Sequence, residues 1–241
     1  MEKISKAQVK LVRSLQLKKF RDELGLFVAE GDKCVSELCK SFEAVSIYRE
    51  GENATHTEIE QMSGLRTPQG VIAVFKKPYT VHPTPYTDLT LALDGIQDPG
   101  NLGTIIRTCD WFGVHDIYCS LDTADCYNPK VVQATMGALA RVRIHYVNLP
   151  QKLSEFRSQH SEVPIYGTLL DGKNMYETPL LKEAIIVMGN EGNGISEAVR
   201  KLITHSLYIP HYNKEASEVI ESLNVSIATA IVLAEFRKLG S

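Results

Sequence analysis

Three short stretches carry residues whose types and spacing could do chemistry. The first is Asn101-x-Gly103-x-x-x-Arg107, inside LTLALDGIQDPGNLGTIIRTCDWFG at 89–113. Leu89–Leu93 reads as a buried strand, Asp94–Gly100 has turn composition, and Asn101 can cap the helix that follows. On that helix Ile105, Cys109 and Phe112 share one face, and Gly103 and Arg107 share another at i, i+4. A cation would then project beside a glycine that admits a ligand; the competing reading is an exposed Arg107 paired with Asp110 at i+3. Gly100 and Gly103 do not fit G-x-G-x-x-G, and no Gly-Lys-Ser/Thr follows, so something other than a phosphate cradle is indicated.

The second stretch, AIIVMGNEGNGIS at 184–196, runs a buried strand into Gly189, Gly192 and Gly194 with Glu191 among them. Glycines at that density permit close backbone approach. Glu191 would repel a phosphate, so the loop suits a neutral heterocycle read by backbone groups, or a cation. Glu191 could equally be a carboxylate stabilised by the dipole of the following helix. The third stretch is Ile209-Pro210, followed by polar residues and SLNVSIATAIVLAEF at 222–236. Ser222 is well placed to cap the last helix, and Asn224 and Ser226 in its first turn can face whatever lies at the helix mouth.

The elements that must position these residues alternate. Strands are expected at 89–93, 116–119, 142–147, 165–169, 184–188 and 206–209, with helices at 102–112, 129–140, 151–158, 196–204 and 223–239. Such alternation predicts a mostly parallel sheet covered on both faces. Ahead of it, strands at 25–31, 44–48 and 71–75 and a helix at 32–39 make a small α/β unit. Its start is basic: residues 1–21 hold seven Lys and Arg against Glu2. Lys3, Lys6, Lys10 and Arg13 recur at helical spacing, a stripe that suits an RNA phosphate backbone or is simply a solvated face. Lys76–Asp88 carries three prolines and no apolar period, so it reads as a stiff linker. The domains expected are 1–80 and 89–241, joined by a linker at 81–88.

With 241 residues, 44% hydrophobic and 23% charged, the chain has the composition of a soluble globular protein of one large or two modest domains. The five cysteines form no C-x-x-C pair, which argues against a disulfide framework or a zinc site. Ile227–Leu233 is too short to span a bilayer, and no apolar segment precedes a cleavage site, so a cytoplasmic protein is expected.

Taken in order, Asn101-x-Gly103-x-x-x-Arg107 after a strand, then GNEGNG, then Ile209-Pro210 with SLNVS opening a C-terminal helix, resemble the three motifs of the SpoU (TrmH) family of RNA 2′-O-ribose methyltransferases, in the SPOUT superfamily. The resemblance covers roughly 89–241. LxxKKFRDELGLFVAEG and TPQGVIAVF resemble the family's N-terminal substrate-binding domain. It implies an α/β fold whose C-terminal parallel-sheet domain holds a deep trefoil knot, preceded by a small α/β RNA-binding domain. It also implies S-adenosylmethionine as cofactor, no metal, and a homodimer with its active site at or near the interface. By motif, Gly189, Ile209 and Leu223 would line the cofactor pocket and Thr168 and Leu169 would close it. Asn101, Arg107, Glu191, Ser222 and Asn224 would form the reacting rim. The implied substrate is a ribose 2′-hydroxyl, in ribosomal RNA if the separate N-terminal domain is a guide. Methylation of tRNA is the alternative, and a catalytically silent RNA-binding or assembly protein is another, against which Arg107 and Asn224 argue. An arginine pKa lies above about 12, which favours Arg107 as stabiliser of the developing alkoxide and phosphate clamp rather than as base. One departure stands out: HYNKEASEVIE at 211–221 is longer than the family's usual connection, and Glu215, Glu218 and Glu221 could make it a short acidic helix.

Overall fold

A computed structural model describes residues 4–78, 89–213 and 222–239 of the chain. The described residues fall into two compact units. In chain order the first unit supplies α1 (Lys6–Ser14), α2 (Lys18–Leu24), β1 (Leu26–Glu30), α3 (Asp32–Leu38), β2 (Ala44–Arg49), α4 (His56–Met62) and β3 (Val71–Lys76). The chain then enters the second unit through β4 (Leu89–Asp94), α5 (Pro99–Trp111) and β5 (Asp116–Ser120). It returns to the first for α6 (Pro129–Thr135) and a 3-10 turn at Ala138–Ala140. The second unit is completed by β6 (Arg143–Val147), α7 (Leu149–Gln159), β7 (Ile165–Asn174), β8 (Ala184–Gly189), α8 (Glu197–Arg200), β9 (His205–Tyr208) and α9 (Val225–Lys238). The contiguous second domain expected from residue 89 onward is therefore interrupted, because 125–141 cluster with the first unit. The linker at 81–88, Lys3 and most of the long segment after Pro210 lie outside the described residues.

The first unit is an antiparallel sheet of order β1-β3-β2. Its central strand β3 is buried in five of six positions, as VIAVF requires of a strand paired on both edges. Val12, Leu15, Val28, Ile59, Met62, Ile72 and Val74 pack on one side. On the other, Phe27 meets Phe42, Phe75 and, from the returning segment, Tyr127. The helix expected over 129–140 is broken at Met136 and Gly137, whose φ angles are 53° and 92°. A Cβ on Gly137 would lie 2.6 Å from the Cβ of Glu37, so close packing as well as backbone conformation requires glycine there.

In the second unit six strands pair in parallel in the order β6-β5-β4-β8-β7-β9. β4 is buried at all six residues and pairs with β5 on one edge and β8 on the other. β8 thus enters between two strands, β4 and β7, that precede it in sequence. Leu149, Leu153, Phe156, Ile165, Ile185, Val187 and Val199 form the core on one face. Tyr166, next to Ile165 and so on the opposite face, meets Phe236 of α9 edge-on at 5.1 Å. β7 runs past its expected end at 169, with a register shift between Thr168 and Lys173 that bulges the intervening residues. Four of the five cysteines are buried and Cys39 is exposed; burial pushes the Cys34 thiol up to about 11. Among the described residues no helix is long and apolar enough to cross a membrane.

The first unit is closed by a charge. Arg21 is 1% exposed; its Nε and Nη2 donate to Asp125 Oδ2 at 3.1 and 2.8 Å, and its Nη1 donates to the carbonyls of Leu15 and Gln16. Removing one member of a buried pair strands the other charge, at ~3–5 kcal/mol. Asp125→Ala should therefore lower the unfolding free energy by about 3 kcal/mol in urea titrations, with much of it regained in Arg21→Met combined with Asp125→Leu. An alanine variant that unfolds at the parental urea concentration would show that the pair contributes nothing.

Candidate active site

Because the six strands are parallel, their C-terminal ends lie along one edge of the sheet, where α/β proteins bind ligands beside a change in strand order. The three motif stretches open from that edge. β4 ends at Asp94, whose buried Oδ2 accepts from Ser196 N at 2.7 Å and so fixes the start of the α8 segment. The next residue, Gly95, donates its N–H to Ser120 Oγ at 2.8 Å and accepts from Asn190 Nδ2 at 2.7 Å.

Asn101 is not the helix cap expected from sequence. Asp98 caps α5, accepting from Asn101 N at 2.7 Å, and Pro99 occupies the first turn. The Asp-Pro pair is the signal that would have revealed this. Relieved of capping, the Asn101 side chain turns outward and bridges two other corners. Its Nδ2 donates to Glu191 Oε1 at 2.5 Å, and its Oδ1 accepts from Asn224 Nδ2 at 2.9 Å.

Asn224 in turn is the cap of α9, the duty expected of Ser222. Its Oδ1 accepts from Ser226 N, Ile227 N and Ser226 Oγ. Ser222 lies two residues earlier, exposed and outside this relay. The result is a continuous chain of hydrogen bonds from the positive end of α9 through two side-chain amides to a carboxylate.

Glu191 is held from beneath by a loop whose sequence shows little beyond its glycines. Asn190 and Gly194 exchange both backbone hydrogen bonds, at 3.0 and 2.9 Å. Asn190 Oδ1 also accepts from Gly192 N and Asn193 N, an Asx turn that an Asn two residues before a Gly could have suggested. Gly189 has its own reason to be glycine, since a Cβ there would sit 2.4 Å from the Gly194 carbonyl carbon. Its missing side chain makes room for the loop's backbone.

Arg107 is not drawn into this relay. It lies six residues beyond Asn101, about 9 Å along the helix and about 120° around it. It is exposed, is not paired with Asp110, and has no hydrogen-bond or ion-pair partner among the described residues. Gly103, expected as an open approach beside it, is buried. The residues assigned to the cofactor lie on three neighbouring strands: Thr168 and Leu169 in β7 just beyond its pairing with β8, Gly189 at the end of β8, and Ile209 just past β9, all half-buried. Thr168 Oγ1 donates to the Val187 carbonyl at 3.4 Å and approaches Met188 Sδ at 3.6 Å. Leu223 is 50% exposed just ahead of α9. Apolar side chains with backbone polar groups at adjacent strand ends can hold an uncharged heterocycle and a thioether chain.

Residues 88–234 match the SpoU rRNA Methylase family, and residues 6–57 match the MRM3-like substrate binding domain. The chain is 30% identical over 253 residues to the 23S rRNA (guanosine(2553)-2′-O)-methyltransferase RlmP of Bacillus subtilis, with 98% of each chain covered. It resembles the structure of a TrmH-family protein from Porphyromonas gingivalis at a TM-score of 0.88 and 39% identity, covering 98% of this chain and 99% of that one. The AdoMet-bound rRNA methyltransferase of Sinorhizobium meliloti is similar at a TM-score of 0.83 and 28% identity, covering 100% and 98%. With the match running through all three corners of the site and the likeness extending over the whole chain, the protein belongs to the SpoU rRNA methylase family.

Proposed function

We propose that the protein is an S-adenosylmethionine-dependent methyltransferase that modifies a ribose 2′-hydroxyl in ribosomal RNA. The observation that carries this reading is the Glu191–Asn101–Asn224 relay, which joins one polar residue from each of the three motifs. Thr168, Leu169, Gly189, Ile209 and Leu223 would hold the cofactor, chiefly through backbone atoms. When bound, S-adenosylmethionine supplies an electrophilic methyl group. The chain's own task is to hold the acceptor oxygen in line and to ease loss of its proton. Amides fixed on both sides, as in Asn101 and Asn224, cost little reorganisation when they orient a ribose. Glu191, the anionic member of the relay, accepts the hydrogen bond of the acceptor hydroxyl, and Ser222 borders the same rim. Arg107 stabilises the developing alkoxide and clamps the neighbouring phosphate as a permanent cation.

Arg107 and the relay occupy different faces of α5, so both act on one ribose in the homodimer that completes the site. Support for a dimer comes from the same helices: Trp111 on α5 is 85% exposed and Ile227 on α9 is 54% exposed, apolar area that suits a second copy. The deep trefoil knot belongs to this reading too, supported by β8 entering between β4 and β7. Lys6, Lys10 and Arg13, with Lys3 beyond the described residues, form the RNA-facing stripe of the first unit. A separate basic unit of this kind favours ribosomal RNA over tRNA, and the enzyme works in the cytoplasm.

Calorimetry should register S-adenosylmethionine binding with RNA present; absence of heat at excess cofactor would overturn the assignment. Arg107→Ala should keep fold and cofactor affinity while single-turnover methylation falls by at least about a hundredfold. Partial recovery in Arg107→Lys would indicate charge, and no recovery would indicate the planar fork. Near-parental methylation by the alanine variant would remove Arg107 from the mechanism. Neutralising Lys3, Lys6, Lys10 and Arg13 should flatten the salt dependence of RNA binding by roughly one unit of slope for each phosphate no longer neutralised, with cofactor affinity unchanged. An unaltered slope would return the stripe to a solvated face.

A further inference from the structure

In the first unit, an open groove of about 490 Å³ is lined by Lys6, Val9, Lys10, Arg13, Ser14 and Phe20. Its α1 residues recur at three- and four-residue spacing and therefore share one side of that helix. Phe20 comes from α2. Val9 and Phe20 make an apolar floor, and three cations and a hydroxyl stand around it.

The ring and the clustering of its cations mark this groove within the unit. Phe27, Phe42, Phe75 and Tyr127 pack ring against ring, whereas Phe20 is half-buried and meets no other ring among the described residues. Lys18, Lys40, Arg49, Lys76 and Lys77 each pair with a carboxylate. Lys6, Lys10 and Arg13 pair with none among the described residues, which is equally true of Lys19, Lys33 and Arg66, but Lys6, Lys10 and Arg13 line one groove together. A solvated stripe accounts for free cations but not for an unpartnered aromatic ring beneath them. Cations around a half-buried aromatic ring that lines the same groove suit an unpaired nucleotide, its phosphates neutralised and its base stacked. A duplex keeps its bases stacked within itself and would offer the groove only backbone.

We infer that this groove binds single-stranded RNA, with phosphates on Lys6, Lys10 and Arg13 and one unpaired base on the ring of Phe20. The inference rests on the RNA-directed function proposed above and specifies that the first unit reads RNA in unpaired form.

Fluorescence anisotropy on the full-length protein tests it with three labelled probes: an unstructured RNA decamer, a fully paired RNA of equal length, and an abasic ribose-phosphate decamer. The unstructured RNA should bind about tenfold or more tightly than either other probe, the scale of one base–aromatic stack. Phe20→Leu, which keeps apolar volume but loses the ring, should erase that preference, and Phe20→Tyr should keep it. Equal affinity for abasic and natural RNA overturns the proposal, and this comparison needs only the parental protein if the leucine variant fails to fold. Weakening by joint Lys6→Gln, Lys10→Gln and Arg13→Gln but not by Phe20→Leu also overturns it, while leaving the RNA-facing stripe intact. Equal binding of all probes by the triple variant and the parent sinks the stripe as well. Displacement of RNA by oligoglutamate that ignores Phe20 would identify an acidic-peptide site instead.

Discussion

The candidate site depends on one side-chain amide having nothing local to do. Asn101 sits in the first turn of α5, where an asparagine ordinarily satisfies its own helix. Asp98 has already done so, and Asn101 can reach partners 90 and 123 residues away in sequence. An amide suits the task because it offers a donor to Glu191 and an acceptor to Asn224 at once. Aspartate at this position would set two carboxylates against each other. Serine would be too short to bridge. The neutral Asn224–Asn101 bond is worth only about 1 kcal/mol net and the bond to the Glu191 carboxylate about 1.5–3, so the relay contributes orientation along with a modest share of stability.

What brings the three partners within reach is the order of the sheet. β4 and β8 end side by side, Asp94 opposite Gly189; the first turn of the helix after β4 carries Asn101 and the loop after β8 carries Glu191. α9 arrives from elsewhere and lies against α5, tied at both ends. At its start Asn224 donates to Asn101, and at its finish Arg237 donates to the carbonyls of Phe112 and Gly113. A cation on the open carbonyls at a helix end relieves groups that α5 cannot satisfy itself. The two helices therefore start together at the functional edge. Apolar burial supplies the stability that lets such a polar edge persist, with Val232, Leu233 and Phe236 of α9 all enclosed.

The first unit solves a different problem with a different device. Its helices α1 and α2 are short, and the turn between them leaves the carbonyls of Leu15 and Gln16 without helical partners. Arg21 satisfies both and carries a charge inward to meet Asp125. Asp125 and Tyr127 belong to a segment that leaves and rejoins the second unit, so the core of the first unit is not contiguous in sequence. Holding α1 in this way also sets the side that carries Lys6, Lys10 and Arg13.

By itself the sequence determined the alternation of strands and helices, the strand positions within a few residues, and the three polar corners. Those follow from local physics: apolar runs, turn residues and helix-end signals act over a few positions. It misassigned both helix caps: Asp98 was legible from the Pro99 that follows it, whereas Ser222 and Asn224 are equally good capping residues and only backbone geometry chooses between them. It did not separate 125–141 from its neighbours, since ordinary strand and helix signals do not say which core a segment joins. Only the tertiary structure decided that Asn101, Glu191 and Asn224 touch while Arg107 faces elsewhere. Helical periodicity gives directions about one axis; contact between residues 123 apart is set by strand order and helix packing, which arise from burial summed over the whole unit.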